Sequence, residues 1–236
     1  MSDHSNFLSS ITESLAPIHR DGHKFVAIGI GVALLFFVVW PPGGWIAALV
    51  TAWIAYFFRD PDRVTPLRDG LVIAPADGRI AQIEEVRPPM ELGLGDAPRL
   101  RISTFLSIFN VHVNRAPVAG RVVRSLYVPG AFFNAAFDKA SEDNERRALA
   151  IETGNGTEVA VVQIAGFIAR RIVTFVGEGD AVGVGQRIGL IRFGSRVDVY
   201  LPPGRKALVA VGQTAVAGET VFADESGEGE REARRS

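Results

Sequence analysis

The sequence predicts a mainly β (α+β) fold: a mostly antiparallel β domain with a small helical insertion, preceded by a hydrophobic helical hairpin. Residues 25–58 contain no Asp, Glu, Lys or Arg, a composition typical of helices in contact with lipid. After residue 59 the sequence changes to short apolar runs separated by Gly and Pro, as in strands joined by turns. Apolar and polar residues alternate on both sides of Gly194 and Ser195, which predicts a strand before and after this dipeptide.

These patterns divide the chain into segments that differ in composition. The last segment is charged and lacks large apolar residues, so it is predicted to be disordered. The predicted segments are an N-terminal tail (1–24), the helical hairpin (25–58), the β-rich domain (59–222) and the charged tail (223–236).

The apolar segment is interrupted by Pro41-Pro-Gly-Gly44, which predicts a helix, a sharp turn and a second helix. Basic residues precede it at Arg20 and Lys24 and follow it at Arg59, which favours placing both ends in the cytoplasm. The sequence therefore predicts localisation at the cell membrane with the β domain on the cytoplasmic side. A full span and a shallow insertion both remain open, as does a buried hairpin in a soluble core.

The β domain is predicted from short runs and turn residues. Asp77-Gly78 marks a turn, and 87–98 is predicted to be an exposed loop because of its prolines and glycines. Helical spacing of Phe132, Phe133 and Phe137 predicts the helical insertion within 131–147. Strand-like runs are predicted at 71–74, 79–84, 100–113, 120–128, 149–153, 158–164, 167–176 and through the Gly194 region to 209.

Composition excludes several kinds of chemistry. The chain has no cysteine, which removes disulfides, thiolate metal sites and cysteine nucleophiles. Of its four histidines only His112 lies outside the N-terminal tail, so the β domain has no pair of histidines for a metal, and no metal is expected. The net charge of -1, without a basic stripe, argues against nucleic acid as a partner.

Three residues remain as candidates for catalysis. Ser195 is a candidate nucleophile, because the absent side chain of Gly194 opens access to the preceding carbonyl. His112 could take the serine proton, and Asp77 could orient the imidazole. Each also has an ordinary structural interpretation: a Gly-Ser hairpin turn, a core histidine in a strand and an Asp-Gly turn. Sequence position alone does not show that the three side chains meet.

Six ordered segments carry a resemblance to a known family: Phe58-Arg-Asp-Pro-Asp-Arg63, Pro75-Ala-Asp-Gly78, Phe109-Asn-Val-His-Val-Asn-Arg-Ala-Pro117, Asp138-Lys-Ala-Ser-Glu-Asp-Asn-Glu-Arg146, Ile164-Ala-Gly-Phe-Ile-Ala-Arg-Arg-Ile172 and Arg192-Phe-Gly-Ser-Arg196. With the preceding apolar segment, the chain resembles the short phosphatidylserine decarboxylases of bacteria and archaea. Where many relatives have Leu-Gly-Ser-Thr, this chain has Phe-Gly-Ser-Arg, the form usual in the short group. It also has one histidine where longer relatives have two, which argues against separate histidines for processing and turnover and leaves open whether His112 serves both.

The resemblance implies self-processing. Ser195, deprotonated by His112 with Asp77 behind it, would attack the carbonyl of Gly194 and form an ester. β-Elimination, then hydrolysis with loss of ammonia, would leave a β chain (1–194) and an α chain (195–236) that begins with a covalent pyruvoyl group derived from Ser195. The resemblance further implies a Schiff base between this group and the substrate amine, because decarboxylation of an amino acid needs an electron sink.

Other implications of the resemblance concern the substrate and partners. The substrate is phosphatidylserine at the membrane, and the product is phosphatidylethanolamine with release of CO2. His112 is the candidate for reprotonating the α-carbon, and Arg170 and Arg171 are candidates for the lipid phosphate. The two chains form an α/β heterodimer that associates with membrane lipid, and a higher homo-oligomer is compatible with the sequence.

Two alternatives from other classes remain at this point. The segment Gly179–Gly189 resembles the turn of a lipoyl-like carrier domain, but no lysine occurs between Lys139 and Lys206 to carry a group. A serine hydrolase could use the same three residues for turnover. Its usual Gly-x-Ser-x-Gly elbow is absent, because Phe193 and Val197 occupy the glycine positions.

Overall fold

A computed structural model describes residues 16–130, 144–166, 171–192 and 194–225 of the chain. The chain divides into two compact units, residues 1–62 and residues 63–236. The first unit is helical, and the second consists of antiparallel β sheets. The predicted mainly β class is therefore confirmed.

The helical unit contains α1 (Arg20–Val39) and α2 (Pro41–Phe57), separated by the single residue Trp40. Two helices were predicted, but the turn between them is shorter than predicted. Pro41 and Pro42 form the first turn of α2 instead of a loop. Proline is tolerated there because the first N–H groups of a helix have no acceptor within the helix, so a missing N–H costs no hydrogen bond. Gly44 allows close packing of the two helices: a Cβ there would lie 2.5 Å from the Phe37 ring.

Both helices expose large apolar side chains. Within the described residues, α1 is long and apolar enough to cross a membrane. The exposed large apolar residues of α1 and α2 include Ile28, Ile30, Leu34, Leu35, Val38, Val39, Trp45, Ile46, Leu49 and Val50.

The second unit contains the strands of the described chain and one short 3-10 turn, Met90–Leu92. The strands are β1 (Leu71–Ile73), β2 (Gly78–Val86), β3 (Arg99–Leu106), β4 (Val113–Arg115), β5 (Gly120–Val128), β6 (Arg146–Glu152), β7 (Glu158–Ala165), β8 (Ile172–Thr174), β9 (Ala181–Val182), β10 (Arg187–Ile191), β11 (Ser195–Tyr200), β12 (Thr214–Ala215) and β13 (Val221–Asp224).

These strands form three antiparallel sheets. The largest has eight strands in the order β12-β2-β3-β11-β7-β6-β5-β9, with β11 near its centre. A three-stranded sheet has the order β4-β10-β8, and β1 pairs with β13. The main core contains apolar residues from all three sheets, including Ile102 of β3, Ile188 of β10 and Phe222 of β13.

Three predicted elements differ from the structure. The predicted strand 100–113 is two strands, because Oδ1 of Asn110 accepts hydrogen bonds from the backbone N–H and the hydroxyl of Ser107, both at 2.8 Å, and closes a turn. The loop 87–98 is not fully exposed: Leu92 is buried against the outer face of the eight-stranded sheet. The predicted insertion lies mostly outside the described residues, and its end, from Arg146, is part of β6.

The predicted C-terminal tail also begins later than expected. Ala223 is buried in the core and Asp224 forms an ion pair with Arg68, so both belong to β13. The strand continues to this point because Ala223 and Asp224 pair with Val72 and Leu71 of β1. The remainder of the tail, from 226, lies outside the described residues.

Candidate active site

The dipeptide Gly194-Ser195 connects two different sheets. Strand β10, before it, pairs with β4 and β8, and β11, after it, pairs with β3 and β7. The flanking strands therefore do not pair with each other, and the interpretation of Gly-Ser as an ordinary hairpin turn is wrong. The chain instead crosses between sheets at this dipeptide.

The backbone at Gly194 adopts the left-handed conformation, with φ of 60°. Glycine takes this conformation without penalty, and no described atom lies within 4 Å of the place where a Cβ would be. The carbonyl oxygen of Gly194 accepts a hydrogen bond from the backbone N–H of Gly166 at 3.1 Å. This contact continues the β11–β7 ladder by one residue, since Ser195 lies opposite Ala165. The Gly194 carbonyl, which Ser195 would attack, is thus already hydrogen-bonded to the N–H of Gly166 before any reaction.

Ser195 is completely buried, and its Oγ has no hydrogen-bond partner among the described residues. Buried hydroxyls are normally hydrogen-bonded, so an exception calls for an explanation. Ser195 lies in a row across the sheet, with Leu106 of β3 on one side and Ala165 of β7 on the other. Burial keeps external molecules away from this hydroxyl, and that favours a reaction with the chain itself.

His112 precedes β4 and is also completely buried. Its Nδ1 lies 2.9 Å from the carbonyl oxygen of Asn110. A carbonyl can only accept, so Nδ1 carries the hydrogen in the neutral ring and Nε2 carries the lone pair that could take a proton. The backbone oxygen of His112 accepts a hydrogen bond from Ile191 at 3.3 Å, which attaches His112 to the end of β10 that leads into Gly194.

Asp77 lies in the turn before β2, and both of its carboxylate oxygens have partners. Oδ2 accepts from Arg63 at 2.7 Å, and Oδ1 accepts from the backbone N–H of Ala217 at 2.8 Å. The turn lies against β3, because a Cβ on Gly78 would be 2.2 Å from the carbonyl oxygen of Phe105. The register therefore places Asp77 at the same end of the sheet as Ser195. The orienting contact at Nδ1 of His112 comes from Asn110.

The two candidate phosphate ligands differ in what can be said of them. Arg170 lies outside the described residues. Arg171 is exposed, and its carbonyl accepts a hydrogen bond from the backbone N–H of Arg192 at 3.2 Å. Arg171 is therefore attached to the segment that leads into Gly194, with a side chain open to solvent.

The arginine that follows the serine, Arg196, has a structural role. Its buried guanidinium donates to both carboxylate oxygens of Asp198, at 2.6 and 3.0 Å, and to the hydroxyl of Ser103 at 3.0 Å. Residues 196 and 198 point to the same face of β11, opposite to the face of Ser195. Burial, and then the charge of Asp198, raise the pKa of nearby Tyr200 to about 12.

A cavity of about 630 Å³ lies at the other end of β11 and is not part of this site. Its lining includes Leu71, Asn155, Pro202 and Arg205. Pro202 follows Ser195 by seven residues, which corresponds to about 20 Å of extended chain. We assign the chemistry to the buried Ser195 end, because the candidate nucleophile and imidazole lie there. Within the described ranges, no group of three or more His, Asp or Glu side chains could hold a metal ion.

Sequence reasoning missed several contributors to this site. Gly166 acts through its backbone N–H, which no residue type signals. Asn110 and Arg63 stand in the segments that carried the family resemblance, but nothing in their types indicated contacts with His112 and Asp77. The available signal for Asn110 was its position, because polar residues stand two positions before and two positions after His112.

Comparison with known proteins identifies the family of this chain. The family model described as phosphatidylserine decarboxylase matches residues 50–223. The phosphatidylserine decarboxylase proenzyme of Azorhizobium caulinodans is 60% identical over 217 residues, covering 92% of this chain and 93% of that protein. The family match defines the mainly β domain, which follows the helical hairpin in the chain, as a lyase domain. The chain belongs to the phosphatidylserine decarboxylase family, and the resemblance predicted from the sequence is confirmed.

Proposed function

We propose that this chain is a proenzyme that cleaves its own Gly194–Ser195 bond and then decarboxylates phosphatidylserine to phosphatidylethanolamine. As a family member it is a carboxy-lyase. One observation supports the choice of the Gly194–Ser195 bond. The Oγ of Ser195 is buried without a hydrogen-bond partner among the described residues, and the carbonyl of the preceding residue accepts a hydrogen bond from Gly166. These residues fit the source of a pyruvoyl group.

The first step is an acyl shift from nitrogen to oxygen. Oγ of Ser195 forms a bond to the carbonyl carbon of Gly194 while its proton moves to Nε2 of His112. Negative charge develops on the Gly194 oxygen, where the N–H of Gly166 donates. The C–N bond then breaks, and the proton passes from His112 to the departing amine of residue 195. The product is an ester between Gly194 and the side chain of residue 195.

The second step separates the two chains. Removal of the Cα proton of residue 195 expels the Gly194 carboxylate and leaves dehydroalanine at the start of the second chain. Addition of water and loss of ammonia convert this terminus to a pyruvoyl group. The chains 1–194 and 195–236 remain together, because β11 of the second chain pairs with β3 and β7 of the first, and β12 and β13 pair with β2 and β1.

In the processed enzyme the pyruvoyl group supplies the electron sink for decarboxylation. The residues around this group hold it in place, bind the substrate and transfer protons. Strands β3 and β7 hold residue 195 between them. His112 can hold a proton at Nε2 for the α-carbon of the substrate, and Arg171, with Arg170, is proposed to bind the lipid phosphate. Asp77 is proposed to favour the protonated imidazole through its charge.

The helical unit supports action at a membrane. Exposed apolar side chains on α1 and α2 would be costly in water and are suited to lipid. The basic residues that flank the hairpin support a cytoplasmic location of the β domain at the cell membrane. A lipid substrate could then reach the enzyme without leaving the bilayer surface.

Intact-mass analysis of the purified full chain tests the proposal. We expect two fragments divided between Gly194 and Ser195, with the C-terminal fragment blocked to Edman sequencing. Ser195→Ala and His112→Ala should each leave one chain of 25.4 kDa. Thr104→Val is the matched control, because its buried hydroxyl also lacks a described partner and its loss should leave cleavage intact. An uncut wild-type chain with full decarboxylase activity contradicts the proposal, and the carrier and hydrolase alternatives both predict an uncut chain.

A further inference from the structure

The peptide group between Ala165 and Gly166 is hydrogen-bonded at both ends. Its N–H donates to the carbonyl oxygen of Gly194 at 3.1 Å, and its carbonyl oxygen accepts from Nδ2 of Asn144 at 2.7 Å. We propose that Asn144 is a positioning residue for self-cleavage, which holds and polarises this peptide group so that its N–H stabilises charge on the Gly194 oxygen. The inference rests on the proposed cleavage at Gly194–Ser195.

The surroundings of Asn144 fix the peptide group in place. Asn144 and Ala165 are both completely buried. The backbone N–H of Ala165 donates to the carbonyl oxygen of Glu145 at 2.9 Å, so residues 144 and 145 hold Ala165 through its donor and its acceptor. Ala165 in turn lies opposite Ser195 in the β7–β11 ladder. The N–H of Gly166, which donates to the Gly194 carbonyl, is thus fixed by residues 144 and 145 and not by the bond that is cleaved.

The three groups form a continuous chain of hydrogen bonds from Asn144 to Gly194. A bond to a peptide oxygen draws electron density from its nitrogen, so the N–H becomes a stronger donor, and bonds in such chains reinforce one another. The benefit is greater for an oxyanion than for a neutral carbonyl, because hydrogen bonds to charged groups are roughly twice as strong. Asn144 therefore stabilises the transition state of the acyl shift more than it stabilises the uncut chain.

Two substitutions of nearly equal size test whether the donor matters. Asn144→Leu removes the donor at every pH. Asn144→Asp removes it when the carboxyl is ionised and restores an O–H donor when the carboxyl is protonated. We would measure the first-order rate of fragment appearance for the full chain in detergent between pH 5 and 8, and divide each rate by that of the wild type at the same pH.

We expect Asn144→Leu to cleave about tenfold more slowly at all pH values, a smaller loss than the 100-fold or more for removing a direct oxyanion donor. Asn144→Asp should cleave faster than Asn144→Leu at the low end of the pH range. The matched control is Asn155→Leu in the exposed turn between β6 and β7, which should cleave like the wild type. Melting temperatures in the uncut Ser195→Ala background establish that each variant folds.

Two outcomes overturn the inference. One is an Asn144→Leu chain that keeps pace with the wild type. The other is an Asn144→Asp chain that never exceeds Asn144→Leu, since a purely structural role would not depend on a restored donor. A wild-type chain that fails to cleave at Gly194–Ser195 instead contradicts the proposed function, so the two failures are distinguishable.

Discussion

The side-chain amide of Gln163 donates a hydrogen bond of 2.7 Å to Oδ1 of Asn114. Both residues are completely buried, and they connect β7 of the eight-stranded sheet to β4 of the three-stranded sheet. Gly189 makes room for this pair, because a Cβ there would lie 2.8 Å from Nε2 of Gln163. His112 precedes Asn114 by two residues, and Gln163 precedes Ala165, the partner of Ser195, by two residues. The pair therefore fixes β4, which directly follows His112, against β7, which lies beside Ser195.

We expect the single substitution Gln163→Leu to lower the melting temperature, since it leaves a buried amide without its partner. The double substitution Asn114→Leu with Gln163→Leu should recover stability, because two apolar groups pack without a polar group to satisfy. The double variant should still cleave itself at least about tenfold more slowly than the wild type. An increase of about 1.4 kcal/mol in the activation free energy, caused by the lost positioning, has that effect. Calorimetry and fragment mass measure the two properties. Recovery of both together contradicts a positioning role and assigns the pair to stability alone.

The N–H of Gly166 is expected to act directly on the reacting carbonyl. Gly166→Pro removes this donor and should slow cleavage about 100-fold or more. Gly166→Ala keeps the N–H and should cleave within a few fold of the wild type, so it serves as the matched control. The rate of appearance of the 195–236 fragment is the measurement. Equal losses in the two variants would indicate that added bulk, and not the missing donor, causes the effect.

Asp77 is predicted to act through charge. Asp77→Asn keeps an oxygen for the N–H of Ala217 and removes the negative charge. The tautomer of His112 is set by Asn110, so we expect a loss of about 10- to 100-fold, less than the about 10⁴-fold seen where a carboxylate sets the tautomer.

Arg63→Met is the control for Asp77. It removes the ion-pair partner at 2.7 Å and leaves the carboxylate in place. Cleavage should persist in this variant, because the negative charge of Asp77 remains. If Arg63→Met and Asp77→Asn lose the same activity, then the ion pair supports the turn and the charge of Asp77 has no separate role.

The buried pair of Arg196 and Asp198 predicts a large stability effect next to the cleavage site. Asp198→Asn leaves the guanidinium buried without its anion and should cost about 3–5 kcal/mol, whereas Arg196→Met with Asp198→Leu should recover most of it. Urea unfolding in the Ser195→Ala background measures both. Asp198→Asn should also lower the pKa of Tyr200 from about 12, which absorbance titration detects. An unchanged tyrosine titration contradicts the coupling between these side chains.

Sequence patterns predicted those elements that depend on residues close together in the sequence. A short strand-like run predicted β5 at Gly120–Val128, and the apolar segment with its prolines predicted two helices. Pairing between distant strands was not predictable, because alternation shows that a strand exists and not which strand lies beside it. The separation of β10 from β11 and the contact of Gly166 with Gly194 both depend on such pairing. Leu92 was missed for a related reason, since proline and glycine around it suggest exposure while the outer face of the sheet covers it.

The helical unit is predicted to insert into lipid through both helices. Ile30 lies near the middle of α1 and Leu49 near the middle of α2, and both side chains are exposed. A lysine in the middle of a membrane helix costs about 2.5–3.5 kcal/mol, which corresponds to a loss of about 100-fold in partition. Ile30→Lys and Leu49→Lys should therefore each reduce flotation of the full chain with phosphatidylcholine vesicles. Val211→Lys, at an exposed apolar position of the β domain, should float like the wild type. If both helix variants also float unchanged, the hairpin does not enter lipid, and its exposed apolar surface requires a protein partner.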